Sequence, residues 1–330
     1  MEPKKYDLLC VGMALVDSII KGFDPEPVSA SGYRAESGSL NVGGEAVNEA
    51  IAAAKLGVHT GILCHLGADG AGEMVMHALT QADVDCSSAV RSPIHPTPVT
   101  TMFVNDDGTR RSVTNQAHRY SWHPEQYRDT LGNAGIISIG SLFRAPFDDP
   151  DVIRETVTLA HRAGALVLAD TKLPNFRRLS LTEIGDVLSM IDYIFPNEDE
   201  ARYYTMGAGY GGAAEGSADC PYDPSDMADI LLSLGIKNVI IKLGSKGCYF
   251  KNASEEIRLN ALPVEAMDAT GAGDNFIAGF ASRILAGDDH PHALAFANAC
   301  GAICTTAVGA SAGLKNEAQV RRLLGQGVLS

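Results

Sequence analysis

The sequence is short of basic residues. Lys and Arg total 26 against 40 Asp and Glu, which gives a formal net charge of -14. Nucleic acids and anionic membranes are bound by positively charged surfaces, so neither is expected as the main partner. A nucleotide ligand is not excluded, because backbone N–H groups and helix N-termini hold phosphates without adding formal charge.

Paired cysteine motifs and long apolar runs are also missing. The 7 cysteines are odd in number, scattered and without CxxC spacing, which favours buried reduced thiols over disulfides or a zinc site. No apolar stretch approaches the length of a membrane span. The first residues, MEPKKYDLLCVG, lack the apolar region and cleavage site of a secretory signal. We therefore expect a cytoplasmic protein without membrane spans.

Short apolar runs alternate with amphipathic segments for most of the 330 residues, 45% of which are hydrophobic. Strands are predicted at residues 7–13, 60–66, 136–139, 165–169, 193–195 and 239–243. Helices are predicted between them at residues 45–56, 72–81, 151–163 and 225–234. Buried strands separated by helices indicate right-handed crossovers and a mostly parallel sheet. The predicted fold is therefore a three-layer α/β/α sandwich in a single domain, residues 1–330.

Two segments interrupt this alternation. Residues 96–115 alternate with period two around Asp-Asp-Gly, which predicts a β-hairpin. Residues 28–42 offer a second extended piece. We expect both to form a small β-lid, with excursions at about 28–42 and 96–119, and expect any homodimer to form through it. Arg110 in the hairpin would contact a substrate oxygen if the lid closes, or else serve as a solubilising surface residue.

The stretch MDATGAGDNFIAGF, residues 267–280, joins small residues to a carboxylate at a predicted helix start. Gly271 and Gly273 leave room for a ligand, and the free N–H groups of a helix beginning near Ala272 attract an anion. Asp274 could then accept the proton of an alcohol that attacks a phosphorus atom held there. The alternative is an acidic residue favoured by the helix dipole after a flexible turn.

Four motifs resemble the signatures of the ribokinase-like (PfkB) carbohydrate kinases, in the family's order. They are NVGGEAVNEAIAAAKLG at 41–57, FPNEDEA at 195–201, IKLGSKG at 241–247 and DATGAGD at 268–274, where Ala269 replaces the usual threonine. The resemblance implies a ribokinase-like fold with a β-lid. It also implies ATP- and Mg²⁺-dependent phosphorylation of a hydroxyl group on a small sugar-like substrate.

The resemblance also assigns roles to residues. It implies that Asp274 is the catalytic base and that the amides near Gly271, chiefly those of Ala272 and Gly273, form an anion hole. The residues that match the family's sugar contacts are Asp17, Gly43, Gly44 and Asn48. Read without the family, these last residues describe a water-facing strand end and a glycine turn before a core helix with an asparagine on its polar face.

On the nucleotide side the resemblance implies three further groups. Asn197 and Glu200 would surround Mg²⁺, directly or through water, although Asn-x-x-Glu after a strand also fits a helix capping box. The residues implied at the nucleotide are Lys242, Gly244, Gly247 and Asn298. Asp268 and Thr270, with residues 307–311, resemble a loop that binds a monovalent cation such as K⁺, or equally a solvated loop.

The substrate and two other functions stay open. The segments GSLFRAP and ADTKLPNFRR depart from ribokinase and fructokinase patterns, so a nucleoside kinase is the first alternative. A sugar-sensing protein without turnover is the second, although it has no need of Asp274. A dinucleotide-dependent oxidoreductase would use Gly207, Gly209 and Gly212, but that G-x-G-x-x-G lacks the required preceding strand and following helix.

Overall fold

The computed structural model describes residues 4–22, 34–105, 110–115, 121–174, 181–206 and 223–327. In chain order its strands are β1 Tyr6–Val11, β2 Leu15–Lys21, β3 Ser37–Gly43, β4 Thr60–Leu63, β5 His65–Gly67, β6 Val90–Ser92, β7 Val99–Val104, β8 Arg110–Thr114, β9 Ala134–Leu142, β10 Leu166–Thr171, β11 Tyr193–Ile194, β12 Asn238–Lys242, β13 Cys248–Asn252 and β14 Glu256–Leu259. Its helices are α1 Glu45–Lys55, α2 Gly70–Gln81, α3 Arg128–Gly132, α4 Pro150–Arg162, α5 Leu181–Leu188, α6 Glu198–Met206, α7 Pro224–Ser233, α8 Ala272–Ala286, α9 His290–Cys304 and α10 Glu317–Gly327.

Eight strands form the main sheet, in the order β14-β13-β12-β11-β10-β9-β1-β4. The six from β12 to β4 are parallel, and β13 and β14 extend the β12 edge by antiparallel pairing. The carboxyl ends of the parallel strands therefore meet at one edge, where ligands bind in sheets of this type.

Alternate residues of these strands enter different cores, since successive side chains point to opposite faces. Leu8 and Cys10 pack in one core with apolar residues of α1, α2, α8, α9 and α10. Leu9 and Val11 pack in the other with residues of α4, α5, α6 and α7. The sheet is thus covered on both faces, and the predicted α/β/α fold class is confirmed.

A second sheet lies outside the sandwich, in the order β3-β2-β7-β8. β7 and β8 pair antiparallel, with Phe103 opposite Arg111, as the hairpin prediction requires. β3 covers the end of the predicted extended piece, and residues 23–33, 106–109 and 116–120 lie outside the described residues. Among the helices described, none is long and apolar enough to cross a membrane.

Candidate active site

The predicted base lies at the start of α8, where the sheet's carboxyl edge meets the helix N-terminus. Gly271 precedes the helix with φ 76, a left-handed conformation, and a Cβ there would lie 2.4 Å from Cβ of Ala310. Only glycine fits both the angle and the contact. No described side chain caps the helix, so the N-terminal N–H groups and their partial positive charge face outward.

The two predicted cradle amides differ in their bonding. Ala272 N donates to the carbonyl of Ala269 at 3.2 Å, whereas Gly273 N forms no backbone hydrogen bond with any described residue. The Gly273 amide is therefore the better placed of the two to receive an anion. Gly271, Ala272 and Gly273 are partly exposed, which leaves them open to a ligand.

Asp274 itself is 6% exposed and accepts a hydrogen bond from Nδ2 of Asn48 at 2.7 Å. Burial, followed by the nearby Glu45 carboxylate, raises the pKa of Asp274 from 3.8 to about 7, although Lys172 and Asn48 oppose the shift. Asn48, predicted as a sugar contact, thus orients the predicted base. A carboxylate with a pKa near neutrality is suited to general base catalysis.

Two more buried carboxylates surround the predicted base. Oxygens of Glu49, Asp170 and Asp274 lie within 4.8 Å of one another. Glu49 accepts a hydrogen bond from Oγ of Ser138, and its Oε1 is buried without a hydrogen-bond partner among the described residues. Burial, with the charges of Asp274 and Asp170, raises the pKa of Glu49 well above its ordinary value. Burial and its carboxylate neighbours therefore both favour the protonated form of Glu49.

Asp170, at 0% exposure, is held between two ammonium groups. Nζ of Lys242 donates to its Oδ1 at 2.5 Å, and Nζ of Lys172 lies 3.3 Å from its Oδ2. Burial raises the pKa of Asp170, but Lys172 and then Lys242 outweigh burial and hold it below the ordinary value. Lys172 also lies 3.4 Å from Glu45 Oε1, and Asp170 above all raises the pKa of Lys172.

Lys242, which the sequence predicts at the nucleotide, places its ammonium group in the carboxylate cluster. Its side chain turns from the end of β12 towards the carboxylates, and a Cβ on Gly273 would lie 3.0 Å from its Nζ. The ammonium group thus lies against the backbone of the predicted anion hole. It supplies the counter-charge that three clustered carboxylates would otherwise need from a metal ion.

Asp17 lies within β2, half buried, rather than at a water-facing strand end. Its Oδ2 would lie 2.5 Å from a Cβ on Gly43, so the missing side chain of Gly43 makes room for the carboxylate. Burial, followed by the charge of Glu45, raises the pKa of Asp17 from 3.8 to about 6. Gly44, with φ 98, is the N-cap of α1, whose first residue is the same Glu45.

Asn197 and Glu200 form the capping box that the local pattern predicted. Glu200 N donates to Oδ1 of Asn197 at 2.8 Å, and Asn197 N donates to Oε2 of Glu200 at 2.9 Å. Thr171 Oγ1 donates to the same carboxylate oxygen at 3.1 Å. Burial raises the pKa of Glu200, followed by the charge of Asp170. Amide and carboxylate oxygens fixed in this way fit a hydrated Mg²⁺.

The other predicted nucleotide residues lie further along the chain. Gly244 and Gly247 flank the short 3-10 helix Gly244–Lys246, which follows β12. Nδ2 of Asn298 in α9 donates to the carbonyl of Asn260 at 2.7 Å. This bond ties α9 to the segment after β14.

The predicted cation loop is closed by its own hydrogen bonds. Asp268 Oδ1 accepts from Thr270 N at 3.0 Å and from Thr270 Oγ1 at 2.7 Å. Asp268 Oδ2 accepts from Gly309 N at 2.9 Å. The segment at 307–311 therefore lies beside Asp268, as the resemblance implied.

Two predicted features cannot be placed against the site. Arg110 begins β8, but its side chain is outside the described part of the chain, and so are Gly207, Gly209 and Gly212. In the other direction, sequence reasoning missed Glu45, Glu49, Asp170 and Lys172. The signal available for the last two was the departure of ADTKLPNFRR from familiar patterns, since both lie at the carboxyl end of β10.

Comparison with known proteins identifies the family. The chain matches the pfkB family carbohydrate kinase model over residues 6–317. A ribokinase of Staphylococcus aureus (strain COL) is 29% identical over 279 residues, covering 82% of this chain and 84% of that protein. Arabidopsis thaliana ribokinase, solved with ribose and ATP, has a TM-score of 0.82 at 24% identity, covering 97% of this chain and 98% of that one. An Escherichia coli protein solved with ATP and Mg²⁺ has a TM-score of 0.76 at 24% identity, covering 97% and 99%. The chain therefore belongs to the pfkB family and is a carbohydrate kinase with the ribokinase fold.

Proposed function

We propose that this carbohydrate kinase transfers the γ-phosphoryl group of ATP to a hydroxyl of a neutral sugar, with Asp274 as the catalytic base. One observation carries the proposal. A buried carboxylate with a pKa of about 7 lies in the first turn of an uncapped helix, oriented by Asn48 at 2.7 Å. A base is most effective when its pKa lies near the working pH.

The chain's own groups divide the reaction between them. The sugar oxygen attacks the γ-phosphorus, the bond to the β,γ-bridging oxygen breaks, and ADP leaves with that electron pair. The hydroxyl proton passes late to Asp274, since an alcohol is far too weak an acid to lose it beforehand. The Gly273 amide and the helix N-terminus face the phosphoryl oxygens. Mg²⁺, expected for the family, would be held through water by Asn197 and Glu200 and neutralise phosphate charge.

The sugar is proposed to lie against Asp17, Gly43, Gly44 and Asn48. The side chain of Asp17 has no hydrogen bond or ion pair with any other described residue, and its carboxylate can accept bonds from hydroxyl groups. The named relatives are ribokinases, one of them solved with ribose and ATP, which favours a pentose or related sugar. A nucleoside also presents a ribose and remains the second candidate.

The experiment is an ADP-release assay across pentoses, hexoses, polyols, sugar acids and nucleosides. We expect turnover of a neutral sugar, and a preference for a nucleoside would favour the second candidate. Asp274→Asn should reduce kcat at least as far as loss of an anion-hole donor does, about 10²- to 10³-fold, while ATP binding persists. Wild-type rates in Asp274→Asn would refute the assignment of the base.

The same proposal includes a monovalent cation beside Asp268 and Thr270. It is supported by the hydrogen bond from Gly309 N to Oδ2 of Asp268, which brings the two segments of the predicted cation loop together. Faster turnover in KCl than in tetramethylammonium chloride, within the same assay, is the expected result. Equal rates in both salts would remove the ion from the proposal.

We propose further that the whole chain acts as one domain and that the four-stranded second sheet is its lid, including Arg110 in β8, and its dimer surface. The exposed Leu40 and Val113 at the two edge strands support the latter. We place the enzyme in the cytoplasm, where ATP is available. The six cysteines described are all free thiols, which suits a reducing compartment.

A further inference from the structure

The pair formed by Asp170 and Lys242 is more than a structural ion pair. Asp170 is completely buried, and the Lys242 side chain is 13% exposed. A buried pair of this kind contributes little net stability, because desolvation offsets most of the attraction. A structural explanation therefore leaves its position at the catalytic edge unaccounted for.

The direction of the lysine side chain suggests a role. Nζ of Lys242 lies 2.5 Å from Asp170 Oδ1 and next to Gly273, where a Cβ would be 3.0 Å away. An ammonium group has three N–H donors, and only the bond to Asp170 is formed among the described residues. The remaining donors have no described partner, and the ammonium group lies beside Gly273, where negative charge would gather on the transferred group.

The charges around Asp170 support the same role. One carboxylate holds two ammonium groups, and its second partner, Lys172, turns instead to Glu45 on the substrate side. Asp170 stays ionised, because the two lysines lower its pKa against the effect of burial. It therefore fixes Lys242 without requiring any change of protonation during turnover.

We propose that Lys242 is a catalytic residue that contacts the non-bridging oxygens of the phosphoryl group in transit, and that Asp170 is the positioning residue that holds it there. This inference rests on the proposed phosphotransfer. It differs from the nucleotide-binding role implied by the sequence motif: the ammonium group acts on the transition state, so its loss lowers kcat and leaves ATP affinity unchanged.

The test replaces Lys242 with methionine, which keeps the length of the side chain and removes its charge. At saturating ATP and sugar, Lys242→Met should lower kcat by about 10²- to 10³-fold, as for loss of other preorganised donors. The affinity for a non-hydrolysable ATP analogue, measured by calorimetry, should equal that of the wild type. Lys242→Gln, which can still donate to Asp170, serves as the second variant if methionine prevents folding.

Lys251→Met is the matched control. Lys251 lies on the neighbouring strand β13, opposite Val239 near the start of β12, and pairs with Asp229 at 2.7 Å. Its loss should leave kcat unchanged.

A further readout is the ratio of rates with ATP and ATPγS. Sulfur weakens a contact with a non-bridging oxygen, so the ratio should fall in Lys242→Met, whereas a merely distorted site would slow both reactions equally.

Asp170→Asn completes the set. As a single variant it should lower kcat. In the Lys242→Met background it should lower kcat by a smaller factor, because part of its effect acts through the missing lysine. Wild-type kcat in both Lys242 variants, weakened ATP binding as the whole effect, or an unchanged thio ratio would overturn the inference. An Asp274→Asn variant that is inactive in the same assays would show that the proposed function survives that outcome.

Discussion

Asp274 combines catalytic competence with a loss of stability. Burial raises its pKa to about 7 in the folded chain, whereas the ordinary value is 3.8. The unfolded chain therefore releases this proton at a lower pH than the folded chain does. The favourable contribution of the protonated side chain to the free energy of unfolding is complete below about pH 4. It is lost as the pH rises through 7.

The resulting prediction concerns the stability of Asp274→Asn. Asparagine keeps the shape and an acceptor for Asn48 but carries no charge at any pH. At pH 8 the variant should unfold at a higher urea concentration than the wild type. Its free energy of unfolding should be larger by on the order of a few kcal/mol. The difference should shrink between pH 7 and pH 4 and then vanish. Denaturant unfolding at a series of pH values measures it.

Asp69 supplies the control of opposite sign. Its carboxylate caps α2 through Gly72 N and accepts from Thr97. Although burial opposes the shift, these bonds lower the pKa of Asp69, so its contribution is present at neutral pH and is lost in acid. Asp69→Asn should therefore be less stable than the wild type at pH 8. Equal pH profiles for the two variants would contradict both assignments.

At this scale the sequence predicted the residues that belong to contiguous motifs. Asp274, Asn48 and Glu200 carry their meaning within a few neighbouring residues. Asp170 and Lys172 do not, because their roles depend on the end of β10 lying between the ends of β9 and β11, a relation set by sheet order. The segment ADTKLPNFRR, which contains both residues, differs from the family patterns. It does not show that Asp170 pairs with Lys242.

Helix α8 shows how an element can place a site. Glycines with left-handed φ stand at both ends, Gly271 at 76 and Gly287 at 83. A Cβ on Gly271 would collide with Ala310, whereas a Cβ on Gly287 would meet nothing within 4 Å. A side chain at either end would therefore strain the backbone, but only a side chain at Gly271 would also clash with a neighbouring residue.

Replacing each glycine with alanine tests this difference. Gly287→Ala should cost about 1–2 kcal/mol for a left-handed alanine and retain full activity. Gly271→Ala should cost roughly 1–3 kcal/mol more, because the added methyl overpacks the contact with Ala310, and should abolish turnover as the helix start shifts. Thermal unfolding and the ADP-release assay measure both variants. Equal losses in the two would show that Ala310 imposes no constraint.

The same scale shows which elements periodicity could predict. The helices at 45–56, 151–163 and 225–234 agree with α1, α4 and α7 to within one or two residues, since glycines follow them and apolar residues repeat along them. The predicted strand at 60–66 is instead divided at Cys64 into β4 and β5, which join different sheets. A continuous apolar run cannot show that its second half pairs with β6.

For the whole molecule, the second sheet has two chemically different faces. The register places Leu40, Ser18, Thr101 and Val113 in one row across its strands, and Asn41, Asp17, Thr100 and Thr114 in the next. Paired residues of adjacent strands point to the same face, and successive residues alternate. The predicted substrate contact Asp17 therefore faces away from the exposed Leu40 and Val113, which no inspection of the separate sequence segments could establish.

This geometry predicts a homodimer that covers the outer face and leaves the substrate face open. Leu40 and Val113 are 61% and 66% exposed on the two edge strands, and a two-fold axis through the sheet would bury both from each subunit. Light scattering after size exclusion should give twice the chain mass for the wild type and the single mass for a Leu40→Glu, Val113→Glu variant. Ile94→Glu, at an apolar residue 81% exposed outside this sheet, should remain dimeric. A monomeric wild type would contradict the predicted dimer. A double variant that stays dimeric would show that the interface lies elsewhere, because two unpaired charges per subunit cannot be buried in it.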